Sequence, residues 1–199
     1  MTDETNNTHR GAIRGRRLQK AVLDATITRI EQVGIDKVRI NDVALAVGVH
    51  ETSIYRRWKT LPRLLVDALI SRISAAVPIP DSGSVRADLQ AFLRDLARFV
   101  ATPAGTALVR GTVVSETDPE VEAARREFWR LRLSAAEEII RRGQARGEVS
   151  PAADPQVVVL SLGGLVHIYA THLGRRLPSR LIGNAVDMVV RGIETPSAR

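Results

Sequence analysis

Apolar residues recur at helical spacing along most of the chain, and no segment alternates apolar with polar residues as a strand would. In the first periodic segment Leu23, Ile27 and Ile30 fall at i, i+4 and i+7, and Gly34 ends it. The pattern predicts an all-α protein of about nine helices, near residues 14–33, 41–47, 50–58, 61–77, 84–101, 103–116, 119–146, 155–173 and 178–193. The first thirteen residues are polar without periodicity, so we expect a disordered arm over 1–13.

Several later helices are predicted to begin with a capping residue followed by proline at the first helical position. The pairs are Thr102-Pro103, Asp118-Pro119 and Asp154-Pro155. Ser84 with Asp88 starts another helix without proline, and the segment 78–83 breaks the chain. We predict an N-terminal three-helix domain over 14–60 and a C-terminal helical domain over 61–199, with the fourth helix as connector.

The segment 38–58 holds two short helical patterns separated by a tight break. Gly48 is expected to end the first one, because glycine adopts the left-handed conformation without steric cost. In the second pattern Ile54 and Trp58 share an inward face. The outward face offers hydroxyl groups and a guanidinium on Thr52, Tyr55 and Arg56. This arrangement is typical of a helix-turn-helix whose second helix enters the DNA major groove.

At these residues the chain resembles the TetR family of bacterial transcriptional regulators. The family pattern reads roughly Ile-Ala, a variable pair, Ala-Gly-Val-Ser, then Gly-Thr-Leu-Tyr-Arg-His-Phe. Here the Gly48-Val49 pair, the Tyr55-Arg56 pair and the closing aromatic residue, Trp58, are kept. The resemblance is specific over about 14–75. It implies a dimeric, sequence-specific DNA-binding regulator, a repressor released from a palindromic operator by a small molecule.

The resemblance also assigns DNA contacts to individual positions. Base contacts fall on Asn41, Glu51, Thr52 and Ser53; backbone or mixed contacts fall on Tyr55, Arg56 and Lys59; Arg39 completes the predicted set. Four positions depart from the family pattern: Arg39 replaces Thr, His50 replaces the Ser cap, Thr52 replaces Gly and Leu61 replaces Lys. The operator sequence therefore cannot be transferred from other members.

Composition and charge agree with a nucleic-acid partner. The 199 residues carry 29 Lys and Arg against 22 Asp and Glu, a formal charge of +7, which favours a polyanion. The absence of cysteine excludes disulfides and thiolate metal sites. The N-terminus shows no apolar secretion signal, so we expect a cytoplasmic protein.

The last two helices are the predicted dimer surface. Residues 155–174 contain no Asp, Glu, Lys or Arg, which predicts a fully buried helix rather than a membrane span, because polar residues interrupt it. Pairing with a second copy would form a four-helix bundle; a monomeric core is the alternative. The predicted interface residues are Val158, Ser161, Leu162, Leu165, Ile182, Val186, Val189 and Ile193.

The resemblance implies a small-molecule pocket in the C-terminal domain. Apolar residues with a few polar groups suit an organic ligand; the candidates are Phe92, Leu96, Phe99, Val113, Trp129, His167 and Tyr169. Such residues at helical spacing also fit an ordinary core.

Enzymatic, metal or cofactor chemistry is not expected. His167 and His172 are five apart and do not share a helix face as a zinc pair would, and no phosphate loop or serine nucleophile motif occurs. Two other functions remain open: a nonspecific or architectural DNA-binding protein, and a ligand-binding dimer that does not bind DNA.

Overall fold

The computed structural model describes residues 3–113 and 119–195. Its helices are α1 (Asp3–Val33), α2 (Ile40–Val47), α3 (Glu51–Trp58), α4 (Leu61–Ala76), α5 (Val85–Val100), α6 (Pro103–Val113), α7 (Pro119–Ala145), α8 (Pro155–Thr171) and α9 (Ser179–Ile193), with a 3₁₀ turn at Ile35–Lys37. Within these residues the only β pairing is an isolated bridge between Val149 and Glu194. The all-α prediction is confirmed, while the predicted end of the sixth helix at 116 lies outside the described residues.

The first helix is longer than the sequence pattern predicts. We expected disorder over 1–13, but α1 begins at Asp3, and only residues 1 and 2 lie outside the described part at this end. No proline occurs before Val33. Once the packed part of a helix has formed, each added residue gains a hydrogen bond at little cost, so the helix extends backwards.

The chain divides into two compact units, Met1–Arg72 and Ile73–Arg199. The division lies inside α4 and not at residue 60, where the sequence pattern placed it. Leu64 and Ala68 on the first turns of α4 are buried, and Trp58 Nε1 donates a hydrogen bond to Asp67 Oδ2 at 3.1 Å. These contacts make the start of α4 part of the N-terminal unit.

The core of the N-terminal unit forms where α1 packs against α2. Val22 and Ile30 of α1 are buried, as is Val43 of α2, so apolar burial stabilises the pair. An ion pair between Arg29 and Asp42, 2.7 Å apart, joins the two helices at the edge of this contact.

The capping residues predicted for the C-terminal unit do cap their helices. Thr102 Oγ1 accepts from the backbone N–H of Gly105 at 3.1 Å, and Asp154 Oδ1 accepts from that of Gln156 at 2.8 Å. Ser84 Oγ accepts more weakly from Ala87, at 3.4 Å. The predicted cap Asp118 lies outside the described residues. Side-chain oxygens thus satisfy backbone donors that helices leave free.

The corner between α5 and α6 is too tight for any side chain at Gly105. A methyl group at this position would overlap the backbone carbonyl of Phe99 and the Cα of Val100. Glycine lets the first turn of α6 lie directly against the last turn of α5.

A carboxylate from after α7 caps the beginning of α5. Glu148 Oε2 accepts from the backbone N–H of Val85 at 2.9 Å, and Arg146 also donates to this carboxylate. Partial burial raises the pKa of Glu148, but the hydrogen bonds from Val85 and Arg146 outweigh that effect and leave the pKa below its ordinary value. The ionised form is therefore favoured in the folded chain.

Candidate nucleic-acid interface and ligand cavity

A left-handed glycine fixes the turn between α2 and α3. Gly48 has φ 68° and ψ 38°. Its N–H donates to the carbonyl of Leu45 at 3.2 Å, and the N–H of Val49 donates to that of Ala44 at 3.0 Å. This pair of bonds is a Schellman motif, which satisfies the last carbonyls of α2 and sets the direction of the chain into α3.

The two faces of α3 divide as the sequence pattern predicts. Ile54 and Trp58 are 1% and 5% exposed and pack inward. Thr52, Tyr55 and Arg56 are exposed, with Tyr55 at 46%. A helix of eight residues, Glu51–Trp58, thus buries its apolar side and presents a polar one to solvent.

Positive charge on and after α3 is not neutralised within the unit. In the described part of the chain the side chains of Arg56 and Lys59 form no ion pair or hydrogen bond. The neighbouring Arg57 already has partners within the chain. Its guanidinium donates to Gln19, and its Cζ lies 5.5 Å from the centre of the Trp58 ring. Two cations therefore remain available to an external anion.

Asn41 and Glu51, both predicted to contact bases, are hydrogen-bonded to each other. Asn41 Nδ2 donates to Glu51 Oε1 at 2.8 Å across the turn. Asn41 does not cap α2, because α2 begins at Ile40, and Arg39 is its cap residue without a side-chain bond. The Asn41 amide instead joins the starts of α2 and α3.

The structure turns the predicted contact residue Arg39 back onto its own loop. Its Nη1 donates to the carbonyls of Asp36 at 3.1 Å and Val38 at 3.0 Å. Ser53 is half-buried. Arg39 is exposed but its guanidinium is engaged by these carbonyls, whereas Ser53 is less accessible than the exposed Thr52, Tyr55 and Arg56.

Lys59 closes α3 in a conformation that a lysine rarely adopts. It is the only residue other than glycine with positive φ in the described part of the chain, at φ 62° and ψ −42°. The N–H of Thr60 donates to the carbonyl of Trp58 at 2.7 Å. This i to i+2 bond makes Lys59 the centre of a positive-φ γ-turn, which is a strained conformation.

The C-terminal unit contains a cavity of about 360 Å³. It is lined by Ile73, Phe92, Leu96, Val100, Leu108, Val109, Trp129, Arg132, Leu133, Ala136, Val159, Leu160, Gly163, Gly164, Val166 and His167. The structure brings together four of the predicted pocket residues here: Phe92, Leu96, Trp129 and His167. The volume and the apolar wall suit a small organic molecule.

Two predicted pocket residues do not line this cavity. Phe99 is buried at 3% exposure, and its ring belongs to the packed core. Tyr169 lies on α8, but on a side that does not face the cavity. The side chain of Val113 lies outside the described residues. Helical spacing shows that such residues point inward, but not which of them border empty space.

Sequence reasoning missed the charged residue of the cavity wall. This residue is Arg132 of α7, which is not among the predicted pocket residues. Its Nη2 donates to the carbonyl of Val77 at 3.0 Å, and burial lowers its pKa from the ordinary value. Its position four residues after Phe128 and four before Ala136 was the available signal, because residues four apart share a helix face.

The predicted dimer surface needs correction, because part of it is already buried within the chain. Val158 and Leu162 of α8 and Ile182 and Val186 of α9 are core residues, so they are unavailable to a partner. Ser161 is exposed, and Leu165, Val189 and Ile193 are partly exposed. Within the single chain α8 is not fully buried. Its exposed apolar residues, with those of α9, are Val157, Leu160, Ile168, Leu181 and Met188.

Neither a metal site nor a membrane span is found in the part of the chain that the structure describes. No group of three or more His, Asp or Glu residues could hold an ion there. No helix among those residues is sufficiently long and apolar to cross a bilayer.

Comparison with known proteins identifies the family. Residues 79–189 match the family model described as the tetracyclin repressor-like C-terminal domain. The HTH-type transcriptional regulator AqdR of Rhodococcus erythropolis is 55% identical over 192 residues, which cover 96% of this chain and 93% of AqdR. The DNA-binding transcriptional repressor TetR of Mycobacteroides abscessus is 28% identical, covering 94% of this chain and 98% of that protein.

Solved structures share the fold. The TetR family transcription regulator SCO0332 superposes with a TM-score of 0.79 at 26% identity, covering 89% of this chain and 99% of that one. The regulator FadR from Bacillus subtilis, solved in complex with stearoyl-CoA, gives 0.64 at 16% identity, covering 88% and 99%. The relatives are regulators and not enzymes, which confirms the expectation that this chain is not an enzyme. The chain belongs to the TetR family of helix-turn-helix transcriptional regulators.

Proposed function

We propose that this protein is a dimeric regulator that represses transcription from a palindromic operator and is released by a small-molecule ligand. The observation that carries the DNA-binding part is the outward face of α3. Thr52, Tyr55 and Arg56 are exposed together, while Ile54 and Trp58 anchor the helix from behind. Family membership supports the same conclusion.

The residues of this face have different proposed roles. Arg56 and Lys59 contact phosphates, where their unpaired charges displace counterions and make binding salt-dependent. Tyr55 supplies a rigid hydroxyl to the backbone, and Thr52 contacts base edges. Asn41 and Glu51 contact bases as a hydrogen-bonded pair, in which the second amide hydrogen of Asn41 and Glu51 Oε2 remain free.

Dimerisation is proposed through the exposed apolar residues of α8 and α9. Leu160, Ile168 and Met188 are large and exposed in the isolated chain, and contact with a second copy would remove them from water. A two-fold dimer presents two copies of α3 to two half-sites, which raises the affinity beyond that of one short helix.

Ligand release is proposed to act by population shift. A ligand in the cavity of the C-terminal unit that prefers a conformation unsuited to the operator would lower the DNA-bound fraction by that preference. A structural neighbour, FadR from Bacillus subtilis, was solved with stearoyl-CoA. The proposal for this chain rests on its own 360 Å³ cavity.

A competition experiment tests the DNA-binding part. Fragments of the source genome that purified protein retains are sequenced, and the preferred fragment is challenged in a gel shift with excess bulk DNA. Wild-type protein should keep its site. Tyr55→Ala should weaken it by about ten- to a hundredfold, whereas Arg94→Ala, at an exposed position of α5, should bind like wild type.

Two results would contradict the proposal. Equal loss of binding by Tyr55→Ala on the preferred fragment and on bulk DNA would favour a nonspecific, architectural DNA-binding protein. Retention of no fragment even at low salt would favour a ligand-binding dimer without DNA binding.

A further inference from the structure

Among the described residues that line the cavity of the C-terminal unit, Arg132 is the one with a permanent charge. It lies on α7, near Trp129, and faces a wall made otherwise of apolar side chains, glycines and His167. Placing a guanidinium against such a wall costs solvation energy, which a partner of opposite charge would offset.

Arg132 differs from the other arginines of α7, each of which has an acidic partner. The pairs are Arg125 and Arg126 with Glu122, Arg130 with Glu127, Arg141 with Glu137, and Arg142 with Asp81. For Arg132 the described residues provide no carboxylate, only the neutral carbonyl of Val77 at 3.0 Å. One of its five N–H groups is thus engaged by the protein.

The electrostatics of the site agree with this geometry. Burial lowers the pKa of Arg132, and no neighbouring carboxylate acts in the opposite direction. The guanidinium nevertheless stays protonated at neutral pH, because arginine is not deprotonated in proteins. A permanent cation with free donors therefore borders an apolar space.

We propose that the cavity binds an apolar organic anion, with the ligand's charged oxygens on the Arg132 guanidinium and its apolar body against Phe92, Leu96 and Trp129. A guanidinium binds carboxylate-like groups through two parallel hydrogen bonds, and an aromatic wall takes a ring or an alkyl chain. An organic cation would be repelled by Arg132. This inference depends on the ligand-sensing part of the proposed function and specifies its ligand class.

Two fluorescent probes that differ by one charged group test the inference. 8-Anilinonaphthalene-1-sulfonate is an anion, and N-phenyl-1-naphthylamine is the same ring system without the sulfonate. Arg132→Met keeps the aliphatic stem and removes the charge. It should weaken the sulfonate probe by about tenfold or more and change the affinity for the neutral probe less than about twofold.

Two further variants serve as controls. Arg130→Met removes an exposed arginine of the same helix that is paired with Glu127, and it should bind both probes like wild type. Gly163→Leu adds a side chain at a wall position where a Cβ meets no other atom. By filling the cavity it should weaken the binding of both probes. Thermal melts check that each variant is folded.

The outcomes separate the ligand class from the pocket itself. If Arg132→Met weakens both probes equally, or weakens neither while Gly163→Leu weakens both, the anion class is overturned and the pocket stands. If wild type binds neither probe, or Gly163→Leu retains both, the cavity is not the binding site. The ligand-sensing part of the proposed function then fails with the inference, while DNA binding is judged separately by gel shift.

Discussion

Lys59 combines a strained backbone with a side chain positioned for phosphate contact. The positive-φ γ-turn is expected to cost about 1–3 kcal/mol, and a glycine there would lose about 0.5–1 kcal/mol through chain entropy. Lys59→Gly should therefore raise the free energy of unfolding by about 1 kcal/mol. Chemical denaturation measures this, and Lys59→Ala, which keeps a Cβ, should show no such gain; equal stability of the two variants would refute the strain.

The charge of Lys59 is tested separately from its backbone. Both Lys59→Gly and Lys59→Ala should weaken binding to every DNA sequence alike and lower the slope of log K against log salt by about one. Fluorescence anisotropy across a salt series gives the slope. An unchanged slope would mean that Lys59 does not neutralise a phosphate.

The Asn41–Glu51 hydrogen bond predicts that these two residues act on DNA as one unit. Each single substitution to Ala releases its partner from a fixed orientation, so the double variant should bind the operator more tightly than the sum of the single losses implies. The expected coupling is about 1 kcal/mol. A double-mutant cycle by anisotropy measures it; additivity within about 0.3 kcal/mol would show that DNA separates the pair.

For individual residues, the sequence predicted exposure better than it predicted hydrogen-bond partners. Thr52, Tyr55 and Arg56 followed from helical periodicity, because burial of Ile54 leaves only one direction for the opposite face. Periodicity did not predict the hydrogen-bond partner of Asn41. That partner, Glu51, lies ten residues away across a turn, and periodicity does not encode the geometry of the turn.

The beginning of α5 depends on a carboxylate that comes from another element. Glu148 holds the Val85 N–H, and its pKa is lower in the folded than in the unfolded chain. Its contribution to stability is therefore present above the unfolded-state pKa and is lost as the pH falls through the folded pKa. Glu148→Ala should lower the free energy of unfolding by about 1 kcal/mol or less at pH 7.

Denaturation at several pH values checks this cap. The difference between wild type and Glu148→Ala should shrink steadily below about pH 4. Glu138→Ala, which removes an exposed partner of Arg141, should cost less than about 0.5 kcal/mol. A constant difference down to pH 2 would show that the ionised carboxylate is not what stabilises α5.

Helix positions were predictable because their ends are marked locally. Thr102, Ser84 and Asp154 signalled where helices begin, and the structure shows each as a cap. The start of α1 was missed because several residues before Arg14 are of types that can cap a helix, and no apolar periodicity there selects one of them. The cap by Glu148 was also missed, since a long-range partner of a backbone N–H leaves no trace in the local sequence.

The exposed sides of α8 and α9 determine the proposed quaternary structure. Met188, 72% exposed, is proposed to be buried between two copies, where a charge would remain unpaired. Met188→Asp should shift the protein from dimer to monomer in sedimentation velocity. Leu45→Asp, at an equally exposed leucine of α2 (74%), should leave the dimer intact; a Met188→Asp dimer of wild-type stability would refute this surface.

Periodicity directed the prediction to α8 and α9, but four of the residues that it selected are core residues of the chain itself. Leu162 and Val186 are at helical spacing because they pack within their own chain. A single amphipathic pattern does not distinguish an internal core from an interface. Helix α8 is apolar both on the side that packs within the chain and on the side that faces outward. Only the positions of neighbouring helices separate the two.

The crowded corner at Gly105 predicts how mutations of this glycine affect the amount of protein in the cell. Every single-base change that replaces this glycine adds a side chain where the Phe99 carbonyl leaves no space. In a genetic screen for lost regulation, such alleles should therefore cause low protein abundance, with deficiency worsening at higher growth temperature. Alleles at Tyr55 should instead accumulate normal amounts of inactive protein, so an immunoblot alone would sort the two classes.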